Sequence, residues 1–465
     1  MTQISIKKRL YAACPAILRP LWDRVDSSSL GNRMTKAAFW TLTGESLARG
    51  IRMVAVILLA RILGQTVFGE FGMIRSTIMM FGIYAGFGMA GTATKHVAEF
   101  RQKDPEKAGR IIAFTNAVAI LFSLFIGIFI VFASPWLAKE LLNAPHLKTP
   151  LRIAAVALIF IGLKGAQTGA LTGFEAFKKI ANRNIIASIV AFPMLVVGAY
   201  LWGLKGAIIG FSTNIGFHWL ITYFATKKEA TKASVLIRFT GFKEHLRVFW
   251  TYSFPAVISG TMVAPVLWYA RTTLTGSLNG YAELGVFEAA YSWLLIVNYI
   301  SSKVSRSSFP ILAKSYGDGN RLQFLKILKI QSLFNGVVTL FFAIIVAVFS
   351  KVIMGFYGEG FAQQNTVLII LSFTGVFMQL SLIMGLVNKS VGNIWYGAML
   401  NGLWAFILIV GSESLSEYGA VGLSIAFLIA YAAHFIFTLI YVGLVFKFSP
   451  KLRKVSKDKI DAEKT

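Results

Sequence analysis

The stretch TGESLARGIRM, residues 43–53, spaces Glu45, Arg49 and Arg52 by four and three residues. At 100° per residue these three fall within about 60° of one another on a helix, a single charged stripe that Thr41 continues one turn earlier. Three more charges interrupt apolar runs: Arg75 in FGEFGMIRSTIMMFGIYAGFGMAG (68–91), Lys164 in IAAVALIFIGLKGAQTGALTG (153–173) and Glu288 in ELGVFEAAYSWLLIV (283–297). A charge at the centre of such a run costs roughly 2.5–3.5 kcal/mol on membrane-insertion scales, so each needs a reason. Two readings stay open. In the first the charges are structural: Arg49 neutralises Glu45 across one helical turn, and Arg75 pairs with Glu288 or Glu45. In the second, Arg49, Arg52, Arg75 and Lys164 line a cavity in which cations outnumber the acids Glu45 and Glu288. Its positive potential would suit a phosphate-bearing ligand and repel a cation. Glu45 and Glu288 are then the groups able to change protonation or hold Na⁺, and so to couple movement of the ligand to H⁺ or Na⁺.

Membrane-spanning helices must hold these residues. The chain has 465 residues, 56% hydrophobic and only 14% charged, with a mean hydropathy of +0.66, outside the range of soluble globular chains. Apolar runs of the length that crosses ~30 Å of hydrocarbon give twelve spans, at 37–60, 68–92, 110–133, 152–172, 184–202, 205–226, 247–270, 283–302, 327–350, 365–387, 393–411 and 419–445. The predicted fold is all-α and polytopic. It has a basic, amphipathic N-terminal tail (1–36), an N-lobe of six spans (37–226), a linker (227–246), a C-lobe of six spans (247–445) and a basic C-terminal tail (446–465). No apolar segment with a small-residue cleavage site opens the chain, so no cleaved signal peptide is expected. The single cysteine, Cys14, allows neither a disulfide nor a cysteine metal site within one chain.

A net charge of +26 could suggest nucleic acid, but its distribution points to topology instead. With the N-terminus inside, 35 of the 46 Lys and Arg fall in cytoplasmic segments and seven on the opposite face, among them Arg61 and Arg271. This positive-inside asymmetry predicts a multi-pass plasma-membrane protein with both termini cytoplasmic. The tails then rest against an anionic leaflet rather than on nucleic acid.

The second half of the chain repeats the first. Phe39-Trp40-Thr41, Gly50 and Ala60-Arg61 recur as Phe249-Trp250-Thr251, Gly260 and Ala270-Arg271. Further on, Glu70 and Gly72 recur as Glu283 and Gly285, and Gly203, Gly206, Phe211 and His218 as Gly419, Gly422, Phe427 and His434. An even number of spans in each half relates the two lobes by an axis along the membrane normal, with a ligand site expected between them near the midplane and rocking of the lobes as the motion. The local offset of 213 carries Arg75 onto Glu288, so the pseudo-symmetry exchanges a cation for an anion. Arg61 and Arg271, at the outer ends of spans one and seven, are placed to guard an exit.

No phosphate-loop motif, His/Cys metal spacing or nucleophile with its base stands out, which predicts a carrier rather than an enzyme, with no cofactor. His218 and His434 read as packing or hydrogen-bonding residues ahead of proton relay. Pro193, Pro255 and Pro265 are expected to kink their spans. Tyr291 and Trp293, near Glu288, could stack on sugars, although most aromatic residues suit the lipid interface.

The run Ala60-Arg61-Ile62-Leu63-Gly64, then Phe68-Gly69-Glu70-Phe71, Ser76, Gly86, Gly88 and Lys95-His96-Val97-Ala98-Glu99 resembles the N-terminal signature of polysaccharide exporters. These are the Wzx-type flippases of the multidrug/oligosaccharidyl-lipid/polysaccharide (MOP) superfamily, and the resemblance covers about residues 36–446. It implies a MATE-like pair of six-helix lobes. It also implies flipping of undecaprenyl-diphosphate-linked oligosaccharide across the bacterial inner membrane for O-antigen, capsule or exopolysaccharide assembly, with glycan polymerase or assembly proteins as candidate partners. The cationic lumen of such flippases would be supplied here by Arg49, Arg52, Arg75 and Lys164. A MATE-like drug or metabolite antiporter and a non-transporting scaffold of a glycan-synthesis complex are the alternatives. The absence of an N-lobe membrane-embedded Asp and the count of twelve spans rather than fourteen favour the oligosaccharide.

Overall fold

The computed structural model describes residues 29–240, 262–277 and 279–449, and no β-strand occurs among them. The tails 1–28 and 450–465 with Cys14, residues 241–246 of the linker, and the first part of span seven with Pro255 lie outside the described residues. The main helices are α1 (Ser29–Gly86), α2 (Met89–Phe100), α3 (Pro105–Trp136), α4 (Lys148–Gly173), α5 (Phe177–Lys232), α6 (Val263–Thr275), α7 (Gly280–Val297), α8 (Tyr299–Gly317), α9 (Arg321–Val348), α10 (Asn365–Val391), α11 (Ile394–Ser414) and α12 (Gly419–Phe448).

Breaks turn these helices into membrane passes. In α1 the break is Gly64 (φ 72°, ψ 173°), and in α5 it is Trp202 with Gly203 (φ 55°, ψ −134°). Those backbone angles are open to glycine and strained for other residues. Each of these helices therefore crosses twice. Helices α7 and α8 together are long and apolar enough for one pass, with a bend of 50° between them, and α6 is the described part of span seven. Among the described residues eight helices are long and apolar enough to cross a membrane, nine if the bent α7–α8 pair is one span. Pro193 lies inside α5, and Pro265 sits in the first turn of α6, where its missing N–H has no helical partner to lose.

The repeat is visible in backbone geometry. Gly419, the counterpart of Gly203, adopts nearly the same angles (φ 58°, ψ −138°) at the start of α12. Thr222 donates to the His218 carbonyl at 2.5 Å and its counterpart Thr438 to the His434 carbonyl at 2.6 Å. Glu70 meets His146 beyond the third pass at 2.7 Å, and Glu283 accepts from Gln364 beyond the ninth at 3.0 Å. Outside, the molecule is apolar: Phe132 is 80% and Trp395 85% exposed, as a lipid-facing surface requires.

The lobes meet tightly at the end of the bundle that carries the α1 break. A Cβ on Gly69 would lie 1.8 Å from the Tyr281 carbonyl oxygen, and one on Gly285 would lie 2.1 Å from that of Gln65. The small residues thus bring the second half of α1 and α7 into backbone contact. Tyr281 also donates to the Leu142 carbonyl at 2.6 Å. At the other end, the described cross-lobe contacts include the Glu45–Lys303 ion pair at 2.6 Å.

Candidate functional site

Between the lobes, near the middle of α1, lies a cavity of about 580 Å³. Its charged wall comes from both lobes: Arg49, Arg52 and Arg75 from α1, Arg271 from α6, and Glu288 from α7. Met79, Met80, Ile83 and Leu295 form an apolar stretch of the same wall, and Tyr291 lines it as well.

Glu288 is the centre of the charged part. One of its oxygens accepts from Arg75 Nη2 at 2.7 Å, the other from Arg271 Nε at 2.5 Å. The carboxylate is 2% exposed and reaches this position past Gly72, where a Cβ would lie 2.8 Å from Glu288 Cγ. The two arginines are held differently. Arg271 is 6% exposed, donates to the Leu267 carbonyl at 2.6 Å, and lies 4.7 Å from the Tyr291 ring centre, a cation–π contact. The Arg75 side chain is 31% exposed and faces the cavity. One carboxylate shared by two guanidiniums leaves a unit of positive charge on the wall.

The stripe on α1 forms as the spacing predicts. Arg49 Nη2 donates to Glu45 at 3.0 Å, and the same carboxylate binds Lys303 of α8. Arg49 also lies 4.4 Å from the Tyr299 ring centre, so α1 and α8 are joined by charge and by cation–π contact. Arg52 turns to the first lobe and donates to Ser188 at 2.8 Å. The lining thus carries four guanidiniums and one carboxylate, a surplus of cations in a partly apolar enclosure where a charge is weakly screened.

Three expectations need revision. Lys164 is not part of this lining; it lies in the interior of the first lobe, within electrostatic range of Arg183 and Arg52. Arg271 is buried on Glu288 rather than placed at an exit, whereas Arg61 is exposed and outside the lining. The exchange of cation for anion explains the difference. Arg271 finds an acid one pass away, and the equivalent position for Arg61 is occupied by Arg75. Of the aromatic pair, Tyr291 lines the cavity, but Trp293 is turned to Tyr357, donating to its hydroxyl at 3.1 Å. Two residues were not anticipated from the sequence. Lys303 belongs to the Glu45 pair, and Arg183, 6% exposed, binds Thr168 and Thr222. Both lie within polar, basic stretches, SSKVSRSS and FKKIANRN, that read as loops.

Comparison with known proteins places these features in a family. Residues 34–316 match the family model described as polysaccharide biosynthesis protein. The EPS I polysaccharide export inner membrane protein EpsE of Ralstonia nicotianae is 20% identical over 406 residues, 84% of this chain and 89% of its own. EpsE of Ralstonia solanacearum is 23% identical over 58% of this chain and 61% of its own. Lipid III flippase of Escherichia coli is 24% identical over 38% of this chain and 42% of its own. Among solved structures, an inward-facing multidrug resistance MATE family transporter of the MOP superfamily superposes with a TM-score of 0.68 at 13% identity, covering 89% of this chain and 99% of the other. A MOP superfamily transporter from Pyrococcus furiosus gives 0.61 at 14% identity, covering 90% and 96%. The chain belongs to the polysaccharide biosynthesis protein family.

Proposed function

We propose that this protein flips an undecaprenyl-diphosphate-linked oligosaccharide from the cytoplasmic to the outer leaflet of the bacterial plasma membrane, for cell-surface polysaccharide assembly, with both termini cytoplasmic. The observation that carries this reading is the inter-lobe wall of four guanidiniums and one carboxylate. Planar guanidinium forks match phosphate oxygens in pairs, so a diphosphate headgroup satisfies this wall and a cationic drug does not. The names of the relatives, polysaccharide export protein and lipid III flippase, agree with such a cargo.

Arg75 is the group that exchanges. It is the more exposed of the two partners of Glu288, so an incoming diphosphate takes Arg75 while Arg271 keeps the carboxylate compensated. Tyr291 offers the adjacent sugar a ring face. Glu288 and Glu45 couple the cycle to H⁺ or Na⁺, each becoming available when its cationic partner leaves. Charge selection is the test. Proteoliposomes should flip a fluorescent diphosphate-linked glycolipid at least about tenfold faster than a neutral glycolipid with the same sugar and tail, since one charge-assisted contact is worth about 1.5–3 kcal/mol. Equal rates for the two would contradict the reading.

A further inference from the structure

Inside the first lobe a second group of cations converges, separate from the Glu288 wall. Arg183 of α5 is its base: Nη1 donates to Thr168 of α4 at 2.9 Å and to Thr222, in the second half of α5, at 3.2 Å, and Nη2 donates to Asn184 at 3.0 Å. Lys164 and His218 each lie four residues before one of those threonines, on the same face of the helix and one turn along it. Thr168 and Thr222 in turn donate to their carbonyls, at 2.6 and 2.5 Å. Ser188, one turn beyond Asn184, receives the Arg52 guanidinium. Four passes therefore bring Arg52, Lys164, Arg183 and His218 to one level of the lobe, and Lys164 and His218 both feel the charges of Arg52 and Arg183.

Among the described residues no ion pair involves Arg52, Lys164 or Arg183, and Glu45, on the same helix stripe as Arg52, is taken by Arg49 and Lys303. Arg183 is only 6% exposed, yet its Nε has no hydrogen-bond partner, and neither has the buried His218 Nε2. A buried guanidinium with an unpartnered donor, beside two further cations, calls for an anion.

We infer that the first lobe contains its own anion site, in which Lys164, Arg183 and Arg52, with His218, hold a phosphate-type oxyanion. Three cationic donors arriving from α1, α4 and α5 suit the several oxygens of a tetrahedral phosphate better than a single-point ligand. The bound species is either free phosphate or a phosphoryl group of a lipid headgroup that enters past Arg52, the one cation shared with the inter-lobe cavity. This site differs from the inter-lobe cavity in Lys164 and Arg183, which do not line that cavity, and shares Arg52 with it.

The test is equilibrium binding of radiolabelled inorganic phosphate to the purified full-length protein in detergent. The expected result is saturable binding with a component that weakens at least about tenfold in Lys164→Gln and in Arg183→Gln, the loss of one charge-assisted contact, and is retained in Lys164→Arg. Lys164→Arg keeps the charge and controls for folding. Addition of a short-chain prenyl diphosphate separates the sources: displacement of phosphate assigns the site to headgroups, and simultaneous binding assigns it to the free anion. Absence of saturable binding to the unaltered protein overturns the inference. So does binding that survives Lys164→Gln and Arg183→Gln but is lost in Arg75→Gln, which would put the phosphate in the inter-lobe cavity.

Discussion

The Arg75–Glu288–Arg271 group between the lobes and the Arg52–Lys164–Arg183 group inside the first lobe use the same side chains to opposite effect. In the first, one buried carboxylate accepts from two guanidiniums that come from different lobes. In the second, Arg52 and Arg183 donate to serine, threonine and asparagine partners beside Lys164, and to no acid. The first group is therefore a joint whose energy depends on the lobes being together, and the second is a set of cations whose hydrogen bonds go to neutral partners alone. A surplus of positive charge can be kept as a latch with one partner to spare, or as a receptive site.

Substitutions distinguish the two groups by sign as well as size. Glu288→Gln strands two guanidiniums against a neutral amide and should destabilise the protein by about 3–5 kcal/mol, read from unfolding in detergent. A loss below about 1 kcal/mol would mean that the joint is not under electrostatic load. Gly69→Ala drives a methyl group into the Tyr281 carbonyl at the tight end of the lobe contact and should cost about 1–3 kcal/mol by overpacking. Spin labels on either side of that end should report longer distances. In contrast, Lys164→Met removes an uncompensated buried charge and should raise stability by about 1 kcal/mol or more, while removing phosphate binding; destabilisation would reveal a hidden acidic partner. Lys303→Gln breaks a partly exposed ion pair to Glu45 and should change stability by under about 1 kcal/mol. Its effect is instead expected on the opening rate of that end, measured by single-molecule distance changes.

Much of this was legible in the residues. Apolar run length gave the passes, and the internal repeat brought Arg75 and Glu288 into correspondence before any contact was known. Their offset of 213 is also the separation of the observed ion pair, since equivalent positions of two lobes facing across a pseudo-axis meet each other. Depth was less legible. Arg271 sits at the end of an apolar run, where sequence alone suggests an exit, and only the acid on the neighbouring pass draws it inward. Arg183 was hidden for a different reason: α5 begins at Phe177, within the basic stretch FKKIANRN, so a buried cation was grouped with cytoplasmic loop charges. Lys164 was recognised as buried, but hydropathy cannot tell a face turned into a lobe from one turned toward the cavity between lobes.

The central claim, that the inter-lobe cations carry an anionic lipid-linked glycan, is tested most directly by flipping of a fluorescent diphosphate-linked oligosaccharide in proteoliposomes containing the combined Arg49→Gln, Arg52→Gln and Arg75→Gln variant. The account predicts a folded protein whose flipping rate falls by about a hundredfold or more, the loss of at least two charge-assisted contacts. Flipping at the unaltered rate by that folded variant would contradict it.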